Sequence, residues 1–63
     1  MNPIVKILME RDGLTEQEAK QRLRLAQNRV LGGEDPEEVL FDEFGIEPDY
    51  VFDLIDGMYE VVR

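Results

Sequence analysis

The stretch LTEQEAKQRLRLAQNRVLGG, residues 14 to 33, decides how the chain is read. Thr15 followed three residues later by Glu18 is a capping box: the Thr hydroxyl accepts from the backbone N–H of residue 18, and the Glu carboxylate accepts from the N–H of Thr15. Leu14 and Ala19 stand at the hydrophobic-staple positions. Ala19, Leu23, Ala26 and Val30 then recur at intervals of 4, 3 and 4, which places one apolar stripe on one face of a helix. Gly32-Gly33 marks its end, so a helix over about 16–31 is expected.

The same punctuation recurs on both sides. Asn2-Pro3 is an N-cap followed by Pro at N1, where the missing N–H costs nothing, and Gly13 stands at a C-cap position. A helix over about 3–11 is expected. Asp35-Pro36-Glu37-Glu38 repeats the pattern, and Gly45 closes a helix over about 36–44 that carries Val39, Leu40, Phe41 and Phe44. Pro48 opens a last segment in which Val51, Leu54, Ile55, Met58 and Val62 share one face at helical spacing. This predicts a fourth helix over about 48–61, with Gly57 as its weak point. The competing reading is two short strands at Ile4–Met9 and Val61-Val62, where β-branched residues concentrate. The expected architecture is an all-α bundle of three to four short helices in one domain, residues 1–63, completed by self-association.

Composition excludes most chemistry. The 63 residues include no Cys, His, Trp or Ser and a single Thr. Without Cys there is no disulfide, thiolate nucleophile or zinc knuckle, and without His the commonest general base and metal ligand is missing. No EF-hand spacing is present; Asp53-Leu54-Ile55-Asp56-Gly57 does not fit one. We expect no catalytic residues, no cofactor and no metal, and a non-enzymatic protein. The N-terminal apolar run Ile4–Met9 is broken by Lys6 and ended by Glu10-Arg11-Asp12, too short and too charged for a signal or membrane segment. A Cys-free domain of this kind fits the reducing cytoplasm.

Seven basic against fifteen acidic side chains give a net charge of -8, a field that repels nucleic-acid phosphate and anionic lipid. Neither direct nucleic-acid binding nor membrane binding is expected. The charge is segregated: residues 1–33 carry six bases and four acids, residues 34–63 eleven acids and Arg63 alone as a base. On a helix over 48–61, Asp49, Asp53, Asp56 and Glu60 would form one acidic face, with rises of about 6, 4.5 and 6 Å between them. Such a row is loosely comparable in pitch with backbone phosphates, and a nucleic-acid mimic that blocks a nuclease or DNA-binding protein would need one. The plainer reading is a solvated face that keeps a small protein dispersed. Lys20, Arg22, Arg24 and Arg29 on the second helix read the same way, because Glu16-Lys20 and Glu18-Arg22 are i,i+4 pairs in the favourable order. Alternatively this mildly basic half meets the acidic half of another copy.

The last fourteen residues hold nine apolar side chains, more than one core-facing stripe accommodates. Tyr50, Phe52, Ile55, Met58, Tyr59 and Val62 are therefore the candidate apolar interface, with a homodimer or a protein partner as the covering surface.

FDEFGIEPDYVFDL, residues 41–54, resembles a helix-turn-helix, with Gly45-Ile46 at the turn and Val51 six positions after the Gly. It departs from that pattern at Phe41, where a small residue is usual, and its second helix carries Asp49, Asp53 and Asp56. Carboxylates aimed at a major groove oppose binding, so the motif reads as an αα-corner without DNA binding. In overall character the chain resembles the short acidic helical proteins of phage and mobile elements, a likeness that assigns no residue a role. The reading is an interaction module, self-associating or partner-binding through its C-terminal helix. An acidic nucleic-acid mimic and a small structural subunit of a larger assembly are the alternatives.

Overall fold

A computed structural model describes residues 1–56 and Met58. Four helices follow in order: α1 Pro3–Asp12, α2 Glu16–Leu31, α3 Pro36–Phe44 and, after a 3-10 turn at Pro48–Tyr50, α4 Val51–Ile55. There is no strand among the described residues, so the strand reading of Ile4–Met9 is overturned. Val61-Val62 lies outside the described residues.

The first three helices start and stop where their side chains dictate. Asn2 Oδ1 accepts from Ile4 N–H at 2.8 Å, and Asp35 Oδ1 accepts from Glu37 N–H at 2.9 Å. The capping box of α2 is complete: Thr15 Oγ1 accepts from Glu18 N–H at 3.1 Å, and Glu18 Oε1 accepts from Thr15 N–H at 2.9 Å. α1 and α3 both end on a glycine in the left-handed region, Gly13 at φ 68 and Gly45 at φ 64, whose N–H donates four residues back, to Met9 O and Phe41 O. α2 ends in the longer Schellman form, with Gly33 at φ 106 donating to Val30 O and Glu34 N–H to Arg29 O at 3.1 Å.

The buried apolar residues form one cluster: Ile4, Val5 and Leu8 of α1, Ala19, Leu23, Ala26 and Val30 of α2, Val39, Leu40 and Phe44 of α3, then Ile46 and Leu54. The α2 stripe is the one its 4-3-4 spacing predicts. Its two alanines are fully buried and let neighbouring helices approach closely. α1 and α3 pack on α2, and α4 touches all three. Among the described residues no polar side chain is buried.

The fourth element is shorter than its periodicity suggests. It begins at Pro48, but Asp56 is extended at φ -60, ψ 126, so no continuous helix runs from 48 to 61. Neither Glu47, ahead of the 3-10 turn, nor Tyr50, ahead of α4, supplies a side-chain cap. Two distant amides hold the segment instead: Asn2 Nδ2 donates to Asp53 O at 2.7 Å, and Gln27 Nε2 to Leu54 O at 2.9 Å. At Gly45-Ile46, where an αα-corner was expected, Gly45 turns the chain at φ 64, Ile46 is buried and Val51 packs against the core.

Candidate functional site

α3 buries three of its four large apolar residues and turns the fourth outward. Val39, Leu40 and Phe44 enter the core, whereas Phe41 is 75 % exposed. On a helix Glu37 and Glu38 lie one turn before Phe41 on the same side, so the aromatic ring shares its face with two carboxylates. The 3-10 turn at Pro48 rises beside this face. Between them lies an open groove of ≈ 830 Å³, lined by Phe41, Ile46 and Pro48 and by Glu34, Asp35, Glu37, Glu38, Asp42 and Glu47. One cation reaches it, Arg29.

Arg29 fixes one wall of that groove. Its Nε donates to both carboxylate oxygens of Glu34, at 3.1 and 3.0 Å, and its Nη2 to Glu34 Oε1 at 2.6 Å. Its Nη1 donates to Asp42 Oδ2 at 2.7 Å and Glu43 Oε1 at 2.8 Å. The Schellman turn makes the first pairing possible, because it returns Glu34 to Arg29 through the backbone as well. These hydrogen bonds hold the Glu34 carboxyl below its ordinary value and raise the Arg29 guanidinium, which stays charged throughout. One cation against three carboxylates leaves the wall net negative. The groove therefore combines an aromatic ring with uncompensated negative charge.

Arg29 was expected on a solvated basic face, and it is instead a tie between α2 and α3. Its partners come from a loop and a neighbouring helix, which no i,i+4 count detects. The Glu16–Lys20 pair forms at 2.9 Å. The Glu18 carboxylate goes to the cap, and this N–H bond holds it below its ordinary value.

The sequence-derived acidic row is not one helix face. Asp49 belongs to the 3-10 turn, Asp53 to α4, and Asp56 lies beyond its end. Glu60 lies outside the described residues. Of the apolar candidates, Tyr50 and Met58 lean on the core, Ile55 is half-buried and Phe52 stands 80 % exposed. Tyr59 and Val62 lie outside the described residues. Leu54, which the periodicity placed on the same stripe, is fully buried.

No family model, curated protein or solved structure matches the chain. The groove's own chemistry is thus the basis for a functional reading. No helix among the described residues is long and apolar enough to cross a membrane, and none of their carboxylates cluster as a metal site would require.

Proposed function

We propose that the protein is a non-enzymatic interaction module of the cytoplasm, and that its α3 groove binds a basic segment of a protein partner through an apolar anchor. The observation that carries this reading is Phe41, 75 % exposed in a concavity rimmed by carboxylates. Core-competent aromatics are the usual anchors of interfaces, and charge around an anchor selects the partner and speeds encounter. An open groove whose rim is mostly carboxylates suits a ridge of side chains better than an enclosed small molecule. The partner segment would present Lys or Arg beside one large apolar residue.

Selection from a random dodecapeptide library tests this. The expected winners carry Lys or Arg beside an apolar residue, and lose at least ~10-fold in affinity on Phe41→Asp. They also weaken at ~0.5 M salt, where exposed charge pairs are largely screened. Winners of no common charge, or winners indifferent to Phe41, would overturn the reading.

A further inference from the structure

The groove has a complement on the same chain. α2 carries Lys20, Arg24 and Leu31 on one flank: at about 100° per residue the three fall within about 40° of one another, along about 16 Å of helix. All three are exposed, Leu31 to 60 %. Arg29, which lines the groove, is two residues from Leu31 and so lies about 160° away around α2. The basic flank and the acidic groove therefore sit on opposite sides of this helix.

We infer that the occupant of the groove is a second copy of this chain, with Leu31 of one copy against Phe41 of another and Lys20 and Arg24 facing Glu34, Glu37 and Glu38. This rests on the reading of the groove as a binding surface. Charge complementarity selects the occupant: the flank offers Arg24 and Lys20, the latter shared with Glu16, while the groove sets Glu34, Asp35, Glu37, Glu38, Asp42 and Glu47 against Arg29 alone. The contact covers two large apolar side chains that the isolated chain leaves in water. A domain of this size buries only about 60 % of its unfolded surface, so association is a common remedy.

The placement also fixes the symmetry. Because flank and groove lie on opposite sides of α2, two copies cannot satisfy both contacts with each other, and each keeps one free half of the contact. Such a head-to-tail interface closes into a ring or continues as a filament, and never forms a two-fold dimer.

Sedimentation velocity on the wild type, Phe41→Asp and Arg24→Glu tests this, with circular dichroism confirming that each variant keeps wild-type helicity. The wild type should grow beyond dimer mass as concentration rises, and less so at ~0.5 M salt. Each variant alone should associate at least ~10-fold more weakly. Mixed in equal amounts they should form a 1:1 dimer and nothing larger, since Phe41→Asp keeps only the flank and Arg24→Glu only the groove. A monomeric wild type, a species that stops at dimer, or variants that assemble as the wild type does would each overturn the inference. If library peptides still bind in a Phe41-dependent way to a monomeric wild type, the groove reading stands and only the choice of occupant falls. If Phe41 matters to neither, both fall.

Discussion

α3 opens on the Asp35 side chain and closes on the Gly45 turn, whereas the segment from Pro48 to Ile55 has no side-chain cap and is held by amides from Asn2 and Gln27. The two are nearly equal in length and both are rich in aromatic and acidic residues. They place them in different surroundings. α3 places Phe41 outward among carboxylates, while the later segment leans Tyr50 and Val51 on the core, buries Leu54 completely and leaves Phe52 exposed away from the groove. A helix with its own caps has a position to spare for a partner. A five-residue helix is far below the length that sustains itself in water, so Val51 and Leu54 go to holding it in place.

The contrast can be broken most severely at Leu54. Leu54→Ala should cost about 2–5 kcal/mol, which in a domain of this size lowers Tm by roughly 4–8 °C per kcal/mol. A thermal melt that shows a loss under about 1 kcal/mol would mean that the last segment is not seated as described.

Two smaller changes separate caps from anchors. Thr15→Ala should cost about 1 kcal/mol and raise amide exchange in the first turn of α2. Gln27→Ala should cost about 0.5–1.5 kcal/mol and raise exchange in residues 50–55 while the start of α2 keeps its protection. If Gln27→Ala left residues 50–55 unchanged, the long-range tether would be dispensable.

The smallest effect concerns pH. Arg29 holds the Glu34 carboxyl below its ordinary value of 4.5, so this contribution to stability is complete above that value and is lost as pH falls through the lower folded-state one. Urea titrations should show Arg29→Met narrowing its gap from the wild type as acid is added through that window. A gap that stays constant with pH would contradict the role of the Arg29–Glu34 pair.

The first three helices were legible because their ends are local. Asn2, Thr15 and Asp35 satisfy N–H groups within three residues, and Gly13, Gly33 and Gly45 supply positive φ where the chain must turn. The end of the fourth was not, since the apolar pattern continues through Val62 and Gly57, next to Asp56, reads as a weak point within a helix rather than as its end. The acidic row and the apolar face read onto residues 48–61 both assumed that continuity. The groove was hidden for a different reason. Phe41 sits among Val39, Leu40 and Phe44, and only the packing of α3 on the core decides which of four apolar side chains is left outside. Arg29 offered a faint signal, as the last base of α2 and the nearest in sequence to the acidic run Glu34 to Glu38.

The central claim is that α3, and not the C-terminal segment, presents the binding surface. Phe41 and Phe52 make the cleanest pair, being equally aromatic and almost equally exposed, at 75 and 80 %. The decisive measurement is the affinity of one library-selected basic peptide for Phe41→Ala and Phe52→Ala side by side, by fluorescence anisotropy. The account predicts a loss of at least ~10-fold for Phe41→Ala and under ~2-fold for Phe52→Ala. The reverse order, or equal losses, would contradict it.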